Sequence, residues 1–259
     1  MLKDILVEKK NNIAIISLDR PEALNAMSLD MREGLADIFE ELAEQDDIRA
    51  VVLTGSGKAF SAGGDMKSWE GPDKDKIIKS IMEFARRTIT AITSLEKPVI
   101  AMVNGDAIGA GCNLALACDL VIASENARFG EVFVKIGLGP DWGGAYHLLR
   151  RIGMVKTKEL LFTGKIFSAQ EALDMGLINQ IVPLIELEET TMKLAEKLSQ
   201  SATRAIGMTK SYLHSVWQMD IKEALKYEAS MQIELMKTID HKESVKAFFN
   251  KSKAVFIGK

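Results

Sequence analysis

Short apolar runs alternate with longer amphipathic ones until about residue 180, after which the pattern is almost wholly amphipathic. Residues 5–9 and 13–18 read as two strands, and Asn11-Asn12 between them suits a hairpin-type connection. Ser28 can cap a helix reaching about Glu44, with Met31, Leu35, Ile38, Phe39 and Leu42 spaced to share one face. Residues 50–54 form a short buried strand closed by Gly55-Ser56-Gly57, and a polar, loop-like stretch over 67–76 leads into a helix over 77–95. The next strands are 98–103 and 120–123. Helices are expected over 142–152, 155–163, 168–175 and 185–199, with a strand near 179–182. From Glu186 onward helix dominates, including 221–237 and 241–250.

Strands alternating with helices, followed by helix alone, predict an α/β core with a helical carboxy-terminal appendage. The boundary falls near residue 200, giving a core over 1–199 and a helical region over 200–259. The β-β-α units repeat in topology only, with no repeated residue motif and no low-complexity tract.

Bulk properties narrow the function. A chain of 259 residues with 47% hydrophobic and 27% charged residues is ordinary for a globular protein with a sizeable core. The net charge of −3 and the lack of a basic tract argue against a nucleic-acid surface. Met1-Leu2-Lys3-Asp4-Ile5 begins no secretory leader, and no apolar run is long enough to span a bilayer. The two cysteines, Cys112 and Cys118, make no zinc motif and suit a reduced cytoplasmic setting. With no histidine nearby to activate it, Cys112 reads as a packed thiol rather than a nucleophile.

Three glycine-rich stretches invite chemistry. Gly109-Ala110-Gly111 follows a strand, but Leu114 stands where a dinucleotide fingerprint needs its third glycine. Gly55-Ser56-Gly57-Lys58 lacks the upstream glycine of a phosphate loop and has Ala59 in place of Ser or Thr. The turns at 59–66 and 105–111 could offer backbone N–H groups that converge on one oxygen, as in an oxyanion hole, or could be tight turns only. Downstream, Asp141 sits between Pro140 and the Gly143-Gly144 pair after an apolar run. It could be an acid of elevated pKa that moves protons, or the cap of a helix starting near Trp142. Trp142 could wall a pocket or belong to the core. His147, His214 and His241 are scattered and read as solvated helix positions, and the carboxy-terminal methionines read as packing residues.

Several ordered stretches together resemble the crotonase (enoyl-CoA hydratase/isomerase) superfamily over nearly the whole chain. They are Asp19-Arg20-Pro21-Glu22-Ala23-Leu24-Asn25-Ala26, Ala59-Phe60-Ser61-Ala62-Gly63-Gly64-Asp65-Met66, Lys97-Pro98-Val99-Ile100-Ala101-Met102-Val103-Asn104-Gly105 and Gly109-Ala110-Gly111-Cys112-Asn113-Leu114-Ala115. Phe167-Ser168-Ala169-Gln170-Glu171-Ala172 and Gly176-Leu177-Ile178 continue the match. The resemblance implies a spiral of β-β-α turns and a helical carboxy-terminal region that drives trimer formation, possibly doubled to a hexamer. It implies an acyl-CoA thioester whose carbonyl oxygen sits between the N–H groups of Gly64 and Ala110, with no cofactor beyond that CoA. Ala23 and Leu24 match the loop along the CoA, and the backbone of Ala62, Gly63, Asp65 and Met66 matches the adenine-binding segment. Phe256 and nearby lysines match residues that reach a neighbour's CoA.

The departures decide the expected chemistry. Family hydratases carry two glutamates, at the positions of Asn113 and Phe133 here. Losing both forfeits general acid–base help worth roughly 10²–10⁴-fold per group. Asp141 instead matches the lone acid of an isomerase branch resembling ring-opening epoxyphenylacetyl-CoA isomerases, and Glu131 is a fallback acid expected to point away from the acyl pocket. Phe133, Leu138 and Trp142 are expected to keep water out. The resemblance therefore implies an acyl-CoA isomerase. A hydratase with rearranged acids, or a non-catalytic CoA- or RNA-binding relative, is the alternative.

Overall fold

The computed structural model describes residues 4–71 and 73–259. Met1, Leu2 and Lys3, part of the amino-terminal reading above, and Pro72, within the expected 67–76 loop, lie outside the described residues. Strand β1 (Ile5–Lys10) turns through Asn11, left-handed at φ 55°, into antiparallel β2 (Ile13–Leu18). Helix α1 (Leu29–Ala43) follows, and its Ser28 cap accepts from the Met31 N–H at 3.1 Å, as the sequence implies.

Three successive β-β-α turns then build the body. The first is β3 (Ala50–Gly55), β4 (Ala59–Ser61) and α2 (Lys74–Ser94). The second is β5 (Val99–Val103), β6 (Asp106–Ile108) and α3 (Ala110–Ala117), and the third is β7 (Leu120–Ser124), β8 (Arg128–Gly130) and α4 (Gly144–Thr163). After them come β9 (Ile166–Ser168), α5 (Ala169–Asp174), β10 (Gln180–Val182) and α6 (Leu184–Ser199). The carboxy-terminal helices are α7 (Thr203–Ser215), α8 (Ile221–Leu235) and α9 (Ile239–Asn250).

In each turn the long strand joins one sheet and the short strand another. The larger sheet has the order β1-β2-β3-β5-β7-β10 and is parallel beyond its first hairpin. The smaller runs β4-β6-β8-β9. Side chains alternate along the long strands, so each face has its own core. Ile16, Val51, Leu53, Ala101 and Val121 face the main interior, whereas Ile13, Val52, Ile100 and Ile122 pack with Leu187 and Ala195 of α6.

The small sheet corrects the sequence reading. Segments 59–61 and 106–108, taken above as parts of turns, are strands, and 128–130 and 166–168 join them. Three residues are too few to show a period of two. The expected pair of helices at 142–152 and 155–163 is present, the two halves of α4 meeting at a kink where Gly153, at φ 70°, is not helical.

Buried side chains lock the layers together. Arg151 donates to the carbonyls of Leu116 and Cys118 at the carboxy-terminal end of α3, and to Leu177 O, placing a cation where the helix dipole is negative. Lys210 of α7 pairs with Asp119 at 2.7 Å, docking the carboxy-terminal helices on the core. The final residues are tied down by Arg49, which donates to Phe256 O at 2.8 Å, and by Asp240, which accepts from the Ile257 and Gly258 N–H groups. No helix among the described residues is long and apolar enough to cross a membrane.

Candidate active site

The turn after β4 meets the start of α3. Gly63 has φ +94°, and a Cβ there would lie 2.6 Å from Ile108 O and 3.5 Å from the Ala110 nitrogen. Only glycine allows both the conformation and this approach. Met27 donates to Gly63 O at 2.7 Å and accepts from the Asp65 N–H at 3.2 Å, leaving the intervening Gly64 N–H without a backbone partner among the described residues. Ala110 is the first residue of α3, so its N–H has no intrahelical acceptor, while Gly109 before it donates to Gly130 O. Two unpaired donors are thereby brought together at the positive end of a buried helix.

Asp141 is held beside them by its backbone. Asn113 on α3 donates from Nδ2 to Asp141 O at 2.9 Å, and the Gly144 N–H donates to the same oxygen at 3.0 Å. A Cβ on Gly144 would collide with the Asn113 amide, which explains the glycine at the start of α4. Helix α4 is capped at Gly143 with no side-chain hydrogen bond, so Asp141 is not its cap. Asp141 Oδ1 is buried and unpartnered. Burial pushes the carboxyl up to about 6, partly opposed by the positive charge of Arg32.

Trp142, next in sequence, is buried with φ +47°, a costly conformation for so bulky a residue. Phe133 is also buried, its ring 3.7 Å from where a Gly109 Cβ would sit, so it packs on the donor turn. Leu138, expected to help exclude water, is exposed.

Glu131, the fallback acid, is fully buried beside the Cys112 and Asn113 side chains, with neither carboxylate oxygen in a hydrogen bond of good geometry among the described residues. Burial pushes its pKa up to about 7, with a further push from Asp141, while the adjacent Cys112 and Asn113 side chains pull it down. Two high-pKa carboxyl groups thus share one neighbourhood. His147 corrects another expectation, because it is buried rather than solvated and burial lowers its pKa to about 4, keeping it neutral. Cys112 is a buried thiol whose pKa burial raises well above normal, as suits packing.

Two residues escaped the sequence reading. Trp69 stands over Gly64, its ring 2.9 Å from the position of a Gly64 Cβ. Arg32, in the first turn of α1, is 1% exposed and donates from Nε to Met27 O at 3.1 Å. Its Nη1 has no partner, and its guanidinium lies 5.9 Å from the Trp142 ring centroid. Burial lowers its pKa, against the opposing influence of Asp141 and Asp65. A signal was available: Arg32, Leu35, Ala36 and Phe39 follow the spacing of one buried helical face.

The loop matched to CoA binding is built from the same corner. Ala23 ends a short 3₁₀ turn, and Leu24 follows, half exposed with φ 50°. Buried Asn25 pins the loop by donating to Ser56 O and Ala59 O and accepting from the Arg20 N–H. The Ala62 N–H donates to Leu24 O at 2.9 Å, joining this loop to the 62–66 segment. Met66 is exposed there, whereas the Asp65 carboxylate pairs with Arg20 at 3.1 Å and caps the Lys67 N–H. The Asp65 backbone is engaged as well, its N–H donating to Met27 O and its O accepting from the Ser68 N–H and hydroxyl. No group of three or more potential His, Cys, Asp or Glu metal ligands occurs among the described residues.

The chain as a whole is similar to known proteins. The family model for enoyl-CoA hydratase/isomerase matches residues 8–259. The chain belongs to the enoyl-CoA hydratase/isomerase family. The short-chain-enoyl-CoA hydratase of Clostridium acetobutylicum is 36% identical over 97% of both chains, and the crotonyl-CoA hydratase of Syntrophomonas wolfei is 34% identical over 99% of both. The crystal structure of an enoyl-CoA hydratase from Bacillus anthracis superposes with a TM-score of 0.94 at 34% identity, covering 99% of this chain and 100% of that one. In this chain Asn113 is buried and holds the Asp141 carbonyl, Phe133 is a buried apolar side chain, and the carboxylates nearby are Asp141 and Glu131.

Proposed function

We propose that the protein is an acyl-CoA isomerase that moves a double bond, or rearranges a strained ring, beside the thioester. The observation that carries this reading is Asp141, whose Oδ1 is buried, unpartnered and of raised pKa, while the amide at position 113 is committed to holding it. The thioester oxygen accepts from the Gly64 and Ala110 N–H groups, which makes the C2 proton acidic. Asp141 takes that proton, and the C–H electron pair passes into a dienolate whose charge rests on the thioester oxygen. The same carboxyl then returns the proton to C4, and the oxygen's charge collapses back into the carbonyl. One acid suffices because the proton leaves and returns on a single group. Phe133, Trp142 and Trp69 shield the intermediate from water.

A second reading, hydration of a 2-enoyl-CoA, is favoured by the names of the relatives and by the buried Glu131 beside Asp141. There one carboxylate would activate water and the other carboxyl would protonate C2. Incubating the protein with 3-enoyl-CoA and with 2-enoyl-CoA separates the two. Faster conversion of 3-enoyl- to 2-enoyl-CoA supports isomerisation, and efficient formation of 3-hydroxyacyl-CoA supports hydration.

Assembly belongs to the same proposal. Leu213, Trp217, Leu225, Phe248 and Phe249 are exposed on the carboxy-terminal helices, more apolar surface than a monomer usually leaves bare. We read this surface as the contact of a homotrimer or a dimer of trimers.

A further inference from the structure

Arg32 is a buried cation beside the donor turn proposed for the thioester, and part of its guanidinium is left unsatisfied. Its side chain is 1% exposed, and Nε is the only one of its three nitrogens with a recorded hydrogen-bond partner among the described residues. Nη1 is buried and unsatisfied. Nη2 lies 2.8 Å from where a Cβ on Gly64 would sit, so the guanidinium flanks the donor proposed for the thioester oxygen. The Trp142 ring, beside Asp141, bounds its other side.

Asp141 and Asp65 lie near enough to act on the Arg32 charge, but neither satisfies Nη1, and the Asp65 carboxylate is engaged by Arg20 and the Lys67 N–H. Its position sharpens the deficit, because Arg32 lies in the first turn of α1, where the helix dipole is itself positive. A buried guanidinium nitrogen left without an acceptor is costly, so an incoming anion gains what the free protein lacks.

We propose that Arg32 makes this site selective for a short acyl group bearing a second carboxylate, which the guanidinium grips opposite the thioester. The inference rests on the acyl-CoA reading above. A carboxylate matches the planar fork of a guanidinium in two parallel hydrogen bonds, which a methyl terminus cannot offer. Proximity to Gly64 keeps the second carboxylate within a few carbons of the thioester.

Calorimetric titration with saturated thioesters tests this without turnover. Glutaryl-CoA and pentanoyl-CoA differ in one terminus, carboxylate against methyl, and glutaramoyl-CoA is the neutral isostere of the first. Glutaryl-CoA should bind the wild-type protein at least about tenfold tighter than either neutral ligand. Arg32→Met should bring that ratio close to one, and Arg32→Lys should keep part of it. Equal affinity of the wild-type protein for all three overturns the proposal, even if neither variant folds. So does an Arg32→Met variant that weakens every ligand by the same factor, the mark of a structural or enolate-stabilising role. Failure of all three to bind would instead remove the acyl-CoA reading itself.

Discussion

The Asn113 side-chain amide holds the backbone carbonyl of Asp141 at 2.9 Å, and it does so across the space a Cβ on Gly144 would fill. Position 113, where family hydratases are expected to carry an acid, here orients another acid. Asn113→Ala removes one of the two donors to that carbonyl and should cost about 1 kcal/mol of stability. It should lower kcat about tenfold with a smaller change in KM, because the base is loosened while the donors at Gly64 and Ala110 remain. Steady-state kinetics on a 3-enoyl-CoA checks that split.

Asn113→Glu is a harsher change than the sequence suggests. The longer side chain meets Gly144 and brings another carboxylate beside buried Glu131. It should lower the melting temperature and produce no hydration by itself, as thermal denaturation and assay on 2-enoyl-CoA would show.

Ala110→Pro isolates one donor. As the first residue of α3, Ala110 makes no helical hydrogen bond through its N–H, and proline is well tolerated there. The variant should fold with near-native circular dichroism yet lose about 10²-fold in kcat, roughly the effect of deleting one oxyanion donor. Full activity in a folded variant would remove Ala110 from the site.

Glu131 gives a pH-dependent stability test. Its folded pKa, about 7, lies above that of an exposed glutamate, so the folded state binds more protons than the unfolded state between roughly pH 4.5 and 7. Its contribution is greatest below that window and is lost as pH rises through the folded pKa. Glu131→Gln should therefore gain stability relative to wild type as pH climbs from about 4.5 to 7, by at most about 3 kcal/mol, and hold that gain above. Urea denaturation of both proteins at pH 5 and pH 8 would show the difference widening. A constant difference would mean that Glu131 is not charged at the cost of the fold.

The long strands, α1 with its Ser28 cap and the break near Gly153 were legible because apolar spacing and local turn chemistry specify them. The small sheet was not, because Ala59–Ser61 and Arg128–Gly130 are defined by partners distant in sequence. The donor turns and Asp141 were legible through family motifs. Glu131, Arg32, Trp69 and His147 owe their roles to burial, which charge and residue type do not report. Only Arg32 carried a hint, being a cation at a buried helical spacing.

Assembly is checked by light scattering. A mass near three or six times 28.5 kDa is expected at micromolar concentration, and a stable monomer would leave Trp217 and Phe248 without the neighbour inferred for them.

The central claim is that Asp141 alone carries the proton. Its pKa near 6 means that kcat/KM for a 3-enoyl-CoA should rise with pH through about 6 as the base ionises. The most direct measurement is the turnover of Asp141→Asn on that substrate, alongside its affinity for a saturated acyl-CoA. In that variant kcat should fall at least about 10²-fold with the affinity little changed. Wild-type isomerisation by a folded Asp141→Asn protein would contradict it.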